Sequence, residues 1–362
     1  MSTSRTDVFP GDPGVRLMVA AAFLRGGDDE ALGTNHLLIA LTNLDATRGP
    51  LAAAGLTRTV ALTVDDGRLG RWTSADAAGV GPDGPHDIVI ADGGTPVPFT
   101  AAAAEALHRA ATVRTVCTPA DVLLALLEDP GNRATELLAI CGIPATDLHA
   151  DLAAGRTPAV RDDVEPALRH VRDRLIGRSG FRSPGWRRPM TAFAIAVRIN
   201  YGRHPMQWIR LEAAEQAHRR HGGAGSAPPR HDGAESARPG QGSADSARRR
   251  HGGPDSSDIL LAVAATYEVA QRLPYLVDPA DPRFRGAALL QAAGVTYERL
   301  RAAGPGGHRD ATGERLPRRM LTVRYPDTLA LVRDLIADDA SHAAGLLAVA
   351  GFDVASLRRT LS

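Results

Sequence analysis

One short pattern recurs four times along this chain: a run of small and branched apolar residues, then a glycine, then one hydrophobic residue. Glycine adopts a positive φ without a Cβ penalty, so it commonly stands just beyond the C-terminus of a helix. The hydrophobic residue after it can fold back onto the last helical turn, as in a Schellman cap. We therefore predict four helices that end at Gly55-Leu56, Gly142-Ile143, Gly294-Val295 and Gly351-Phe352.

Four caps with similar flanks predict an internal repeat of short helices. Repeat one begins near Pro13, and its second helix is predicted to begin at Thr34 as the N-cap. One face of its first helix is predicted to be buried, because apolar residues recur there at helical spacing: Val15, Met18, Val19, Ala22 and Phe23.

The later repeats start with comparable signals. Repeat two begins at Pro98-Phe99-Thr100, and Thr118 before Pro119 is a strong start for its second helix. Repeat three begins near Pro205, and repeat four is shortened. One helix of repeat four is missing from the pattern, and the sequence leaves open which one.

The composition agrees with a helical fold. Only 4% of the residues are aromatic and alanine is abundant, which favours close-packed helices over a β-sandwich. A chain of 362 residues is long enough for two domains, each with its own core. We therefore predict an all-α fold with two tandem repeat domains, at residues 1–155 and 195–362.

Two segments outside the repeat pattern are predicted to lack a packed core. Residues 156–194 form an arginine-rich segment, which is expected to be a solvated helix followed by a linker. Residues 219–256 interrupt repeat three and are rich in Gly, Ser, Ala, Arg and Pro, so this insertion is predicted to be disordered. A nucleic-acid contact through the arginines of residues 169–188 is the alternative interpretation of the first segment.

Charge and cysteine content exclude several classes of protein. The net charge of +1 gives the chain no general attraction for nucleic acid or anionic lipid. The chain contains no lysine, which excludes a Walker P-loop and a Schiff-base lysine. Cys117 and Cys141 are expected to be small core residues in a reducing compartment. With no signal peptide and no apolar stretch long enough to cross a bilayer, the chain is expected to be cytoplasmic, without a membrane partner.

Sequence motifs for catalysis and metal binding are missing. The chain contains no His-Glu-x-x-His, Gly-x-Ser-x-Gly or Cys-x-x-Cys. His36 stands close to a predicted helix start, where a capping or packing role is expected. We therefore predict that the protein is not an enzyme and holds no cofactor and no metal.

The repeats resemble the N-terminal Clp repeat domain, the substrate-receiving module of ClpA- and ClpC-type AAA+ unfoldases. The resemblance rests on Gly33-Thr34-Asn35-His36-Leu37-Leu38 and on Pro98-Phe99-Thr100, and it is better over residues 9–155 than over 200–362. It implies an eight-helix double repeat with pseudo-twofold symmetry that binds rather than catalyses. The AAA+ modules of that family are absent from this sequence.

The resemblance also implies a ligand site where two repeats meet. Its cyclic-peptide site would correspond to Phe99, Thr100 and, across a local gap, Phe9. The alternative role for Phe99 is to staple the start of a helix to the core. The phosphoarginine pockets of the family use a glutamate where this chain has Asn35, so that specificity is not expected here.

Together these features predict a non-catalytic binding protein linked to Clp proteolysis. It would act as a decoy that sequesters cyclic peptides directed at a ClpC-type unfoldase, or as an adaptor that brings substrates to that unfoldase. The alternative is a nucleic-acid-associated regulator that uses the arginine-rich segment.

Overall fold

The computed structural model describes residues 7–9, 11–25, 31–68, 71–74, 76, 86–90, 97–114, 116–159, 162, 164–181, 201–222, 254–304 and 325–362. The chain divides into two compact units. Unit 1 comprises Met1–Asp163 and Ile176–Arg178, and unit 2 comprises Val164–Leu175 and Ser179–Ser362. Helices make up most of both units, which confirms the prediction of a mainly helical fold.

The described helices of unit 1 form two successive groups of four. The first group contains α1 (Pro13–Arg25), α2 (Thr34–Leu41), α3 (Asp45–Ala53) and α4 (Arg58–Arg68). The second group contains α5 (Ala101–Val113), α6 (Pro119–Glu128), α7 (Arg133–Ile140) and α8 (Ala145–Ala153).

A small sheet accompanies these helices, and the sequence did not predict it. Its strands are β1 (Asp7–Phe9), β2 (His86–Ile90) and β3 (Val97–Phe99), in the order β1-β2-β3. β1 runs parallel to β2, whereas β3 runs antiparallel to it. β2 carries the β-branched run Ile88-Val89-Ile90, a composition that favours an extended strand. The sheet is a small addition to a fold that is mainly helical, as predicted.

Unit 2 contains the remaining described helices. They are α9 (Arg169–Leu175), α10 (Pro205–Gly222), α11 (Ser256–Arg272), α12 (Arg285–Ala292), α13 (Tyr297–Ala303), α14 (Thr328–Ile336), α15 (His342–Val349) and α16 (Val354–Leu361). Two short 3-10 helices, Tyr201–Arg203 and Pro282–Phe284, precede α10 and α12.

The four predicted glycine caps are all present. Gly55, Gly142, Gly294 and Gly351 have φ values of 103°, 68°, 81° and 83°. In the first cap the N–H of Leu56 donates to the carbonyl of Leu51 at 2.8 Å, and the N–H of Gly55 donates to Ala52 at 3.1 Å. The same two hydrogen bonds close the other three helices, so each is a Schellman cap.

The helices within unit 1 and the helices within unit 2 pack in the same pattern. In unit 1, α2 packs on α1, α4, α6 and α7, while α3 packs on α6 and α6 packs on α8. In unit 2, α11 packs on α10, α13, α14 and α15, while α12 packs on α14 and α14 packs on α16. By this pattern α10 to α13 correspond to α1 to α4, and α14 to α16 correspond to α6 to α8. The described residues contain no counterpart of α5, whose place in the sequence, 305–324, lies outside them.

Several predicted boundaries and faces differ from the structure. Val15, Met18, Val19 and Ala22 of α1 are buried as predicted, but Phe23 is 52% exposed. The N-cap of α2 is Gly33 rather than Thr34, which is the first residue of the helix.

The segment predicted as a linker, 156–194, is partly folded into both units. Residues 164–175 belong to unit 2, where α9 buries Arg172 and Arg174, and Ile176–Arg178 belong to unit 1. The predicted helix is present here as Arg169–Leu175, but it is not fully solvated, because Arg172 and Arg174 are only 7% and 6% exposed. Residues 182–194 lie outside the described residues. The predicted insertion 219–256 begins as the last turn of α10 and ends at the start of α11, and residues 223–253 lie outside the described residues.

A close backbone approach joins α12 to α14, and it provides a test of the packing in unit 2. A Cβ on Gly286 would lie 2.5 Å from backbone atoms of Thr328 and Leu329, where α14 begins. We expect Gly286→Ala to lower the free energy of unfolding by about 2–3 kcal/mol, because the two helices must separate.

The control for that variant is Gly345→Ala in α15, where a Cβ would meet no atom within 4 Å. That change is expected to be neutral or to stabilise by up to about 1 kcal/mol, because alanine is the better helix former. Urea unfolding of the two variants checks the pair. Equal effects of the two substitutions would contradict the tight crossing.

Candidate functional site

The predicted ligand site lies where the entrance to α5 pairs through its backbone with the entrance to α2. The N–H of Leu32 donates to the carbonyl of Pro98 at 2.8 Å, and the N–H of Thr100 donates to Leu32 at 3.0 Å. In the same way, the entrance to α1 pairs with the entrance to α6, where the N–H of Asp12 donates to the carbonyl of Cys117 at 3.0 Å. Each first helix of a repeat is thus tied to the second helix of the other repeat.

A buried carboxylate, Asp76, holds this junction together. One of its oxygens accepts from the N–H of Thr34 at 2.7 Å and from the hydroxyl of Thr100 at 2.9 Å. The other accepts from the Thr34 hydroxyl at 2.6 Å and from the N–H of Arg133 at 3.2 Å. These donors belong to the N-termini of α2, α5 and α7, where the helix dipoles also favour a negative charge. The side chain is therefore satisfied although it is only 1% exposed.

Two further features fix Asp76 in place. Its φ is 49°, the only positive φ among the described residues other than glycine. This backbone conformation is unfavourable, so the surrounding contacts must hold Asp76 in it. The Thr34 hydroxyl, which donates to Asp76, also accepts from the N–H of Ala134 at 3.0 Å. Sequence reasoning missed Asp76 because it belongs to the connection between repeats, where no periodicity marks a buried residue.

The three residues predicted to bind a ligand serve the fold at this junction in different ways. Phe99 is fully buried, and its backbone pairs with His86 at the end of β3. Thr100 is the N-cap of α5, since its side chain accepts from the N–H of Ala103. Phe9 is a backbone position on β1, where it pairs with Ile90. The contacts of Phe99 and Thr100 match the alternative role of holding a helix start to the core, and a ligand role for the three residues stays a prediction.

The start of α2 is equally committed to internal contacts. The N–H of Gly33 donates to Nδ1 of His36 at 3.1 Å, so His36 caps the helix as expected. The side-chain amide of Asn35 donates to Asp65 at 2.7 Å, and Asn35 is 2% exposed. Asn35 is therefore closed off from ligands.

Unit 1 does expose large apolar side chains on two of its elements. Leu17, Phe23 and Leu24 of α1 are 60%, 52% and 82% exposed. Val113, the last residue of α5, and Val116, three residues beyond it, are also exposed. Val116 precedes Cys117, which pairs with the entrance to α1, so the chain brings the end of α5 to the start of α1. We refer to these five side chains as the unit 1 apolar surface.

Unit 2 contains a buried ion pair of a different character. The guanidinium of Arg174 on α9 contacts both carboxylate oxygens of Glu212 on α10, with an Nε–Oε2 distance of 3.0 Å. Burial raises the pKa of Glu212, and Arg174 opposes that shift. Beside the pair, burial and then the charges of Arg219 and Arg174 lower the pKa of His170 to about 3, so this imidazole is neutral.

Sequence reasoning also missed Glu212, although a signal was present. Glu212 follows the buried Trp208 by four residues, which places both on one face of α10. A carboxylate on an apolar helix face calls for a partner, because an isolated buried charge is costly.

An open cleft of about 280 Å³ lies in unit 2 among α11, α12, the start of α13 and the residues that precede α9. Its lining includes Glu165, Glu268, Glu298 and Arg272. Burial raises the pKa of Glu268, and the charges of Glu165 and Glu298 add to that shift. The carboxylate of Glu268 accepts from the N–H of Tyr297 at 2.6 Å, so it also caps the start of α13.

The described residues offer no reactive thiol and no metal site. Burial raises the pKa of Cys117 and of Cys141 to about 12, so both stay protonated at neutral pH and are poor nucleophiles. Within the described ranges, no three His, Cys, Asp or Glu side chains are grouped so that they could hold a metal ion.

The arginines that a nucleic-acid contact would need are partly engaged inside the fold. Arg172 pairs with Asp173 at 2.8 Å, and Arg174 pairs with Glu212. Arg178 donates to the carbonyl of Ala52. Arg182, Arg187 and Arg188 lie outside the described residues. The guanidinium groups of Arg172, Arg174 and Arg178 are therefore poorly placed to bind phosphates.

No helix among the described residues has both the length and the apolar character needed to cross a membrane. No protein-family model, no curated protein and no solved structure matches this chain.

Proposed function

We propose that the protein is a non-enzymatic binding protein that holds hydrophobic peptide-like ligands on unit 1. The observation that carries this proposal is the unit 1 apolar surface, in which Leu17 and Leu24 are 60% and 82% exposed on one helix. Leu17 and Leu24 are seven residues apart, which places them on one face of α1, and an exposed apolar helix face is typical of a contact surface for a ligand or a partner protein. The fully buried Phe99 does not serve as the ligand contact in this proposal.

We further propose that this binding operates in Clp proteolysis. The proposal is supported by the Gly33-Thr34-Asn35-His36 and Pro98-Phe99-Thr100 motifs and by the reciprocal pairing of the repeat entrances. A decoy would sequester a cyclic peptide and leave proteolysis unchanged when the peptide is absent. An adaptor would bind a ClpC-type unfoldase and change substrate degradation without any small ligand.

Calorimetry of the full chain against hydrophobic cyclic peptides and against a purified ClpC-type unfoldase tests both roles. We expect the double variant Leu17→Ser/Leu24→Ser to bind about 100-fold more weakly, because each buried leucine contributes about 1.5 kcal/mol or more. Val349→Ser is the matched control, since Val349 is 59% exposed but belongs to unit 2.

Two results would count against this function. The first is that neither the peptides nor the unfoldase binds the wild-type chain. The second is that the double variant binds as tightly as the Val349→Ser control.

A further inference from the structure

Four titratable side chains meet where the last turn of α10 lies against the first turns of α11 and α15. The guanidinium of Arg220 bridges two carboxylates: one nitrogen contacts Asp255, and the other lies 2.7 Å from Oδ2 of Asp258. The fourth group is His342, whose Nδ1 lies 3.0 Å from Oδ2 of Asp255. Asp258 is 3% exposed at its side chain and Asp255 is 12% exposed, so the two carboxylates meet largely out of water.

The carboxylate of Asp255 accepts more hydrogen bonds than the carboxylate of Asp258. Asp255 is the N-cap of α11, and its Oδ1 accepts from the N–H groups of Ser257 and Asp258 and from the Ser257 hydroxyl, at 3.0, 3.1 and 2.6 Å. Asp258 accepts from the N–H of Asp255 at 3.0 Å and from Arg220. Asp255 is thus the better stabilised anion, and Asp258 is the group that gains from a proton.

The charges that face the pair come from each helix packed against it. α10 contributes Arg220, α15 contributes His342, and α11 contributes the two aspartates themselves. Burial, together with the negative charge of Asp255, raises the pKa of Asp258 to about 7, and the positive charge of Arg220 offsets only part of this shift. Burial also opposes ionisation of Asp255, but the hydrogen bonds from Ser257 and Arg220 outweigh it and lower the pKa of Asp255 to about 2.

We propose that Arg220, Asp255, Asp258 and His342 form a proton-sensitive clamp, which holds the end of α10 on α11 and α15 while Asp258 carries a proton and Asp255 stays ionised. A second negative charge on the pair would leave one guanidinium to balance two buried carboxylates, which weakens the hold. Arg220 and Asp255 flank residues 223–253 in the chain, so the clamp fixes the two points from which that segment departs.

The direction of the pH effect follows from the two shifts. Because the pKa of Asp258 is raised in the folded state, Asp258 contributes its full stabilisation at pH values below 3.8, the ordinary pKa of an aspartate. This stabilisation is lost as the pH rises through about 7. The lowered pKa of Asp255 makes its contribution present above 3.8 and lost as pH falls through about 2. The clamp is therefore tightest near pH 4 and weakens between about pH 4 and pH 7.

Amide hydrogen exchange of the full chain at pH 5.5 and pH 7.5 tests the clamp, after correction for the intrinsic dependence of exchange on pH. We expect the protection of the Ser257 and Asp258 amides and of the last turn of α10 to fall about tenfold or more at the higher pH. Asp258→Asn, which keeps the shape and removes the titration, is expected to abolish this pH dependence.

Asp327→Asn is the matched control, because Asp327 caps α14 through the N–H of Ala330 at 2.8 Å and lies outside the cluster. That variant should keep the pH dependence of the wild type. A carboxyl-carbon NMR titration of the wild type gives a readout that needs no variant, with an expected midpoint near 7 for Asp258.

The clamp is overturned if protection is the same at both pH values, if Asp258→Asn keeps the pH dependence, or if the Asp258 midpoint lies below 5. These readouts concern unit 2 alone. A failure of ligand binding on unit 1 would leave them unchanged, so the two proposals fail separately.

Discussion

Arg174→Met is expected to lower the free energy of unfolding by about 3–5 kcal/mol, because it leaves the Glu212 carboxylate buried without its partner. Glu212 is fully buried, and Arg174 contacts both of its oxygens. In the wild type, burial is the largest cause of the lowered pKa of the nearby His170, about 3, and burial is kept in the variant, so we expect no compensating positive charge from this imidazole. Urea unfolding of the variant and the wild type measures the loss.

The pH dependence of that loss has a definite sign. Burial raises the pKa of Glu212 even in the presence of Arg174, and removing the guanidinium raises it further. The variant therefore takes up a proton on Glu212 as pH falls, and its deficit should be smaller at pH 5.5 than at pH 8.

Removing both partners provides the control for the ion pair. Arg174→Met/Glu212→Leu should be far more stable than the single variant, because no buried charge is then left unpaired. A loss below about 1 kcal/mol for Arg174→Met, as is usual for an exposed pair, would contradict the burial of this contact.

Phe99→Ala is expected to cost about 3–5 kcal/mol of unfolding free energy, the usual loss when a fully buried phenylalanine is truncated. Phe99 is 0% exposed, and its backbone belongs to β3 at the entrance to α5. The variant therefore distinguishes a core role from a ligand role. Thermal and urea unfolding give the stability, and calorimetry with cyclic peptides gives the binding.

Phe23→Ala is the matched control for Phe99→Ala, because Phe23 belongs to the same unit and is 52% exposed. Its stability should change by less than about 1 kcal/mol, whereas its peptide binding should weaken if the unit 1 apolar surface holds the ligand. Lost peptide binding by Phe99→Ala with unchanged unfolding would reverse this assignment and restore the predicted site.

The candidate site shows how far sequence reasoning reached. The residues Pro98-Phe99-Thr100 were correctly placed at the start of a helix, but their hydrogen bonds depend on Asp76 and Leu32, which come from other parts of the chain. The exposed side of α1 was assigned in part to the core, since Phe23 continues an apolar helical spacing but faces outward. Periodicity identifies a face of a helix, and the neighbouring helices decide how wide its buried stripe is.

The sequence by itself determined the four glycine-capped helix ends and the start of α6. The glycine caps and the N-cap at Thr118 depend on groups within about five residues of each other, so local chemistry is enough to fix them. The tertiary structure alone decided the Asp76 junction, the Arg174–Glu212 pair and the small sheet. Their partners lie far apart in the chain, 38 residues for Arg174 and Glu212, and only the packed fold brings such charges close enough to satisfy one another.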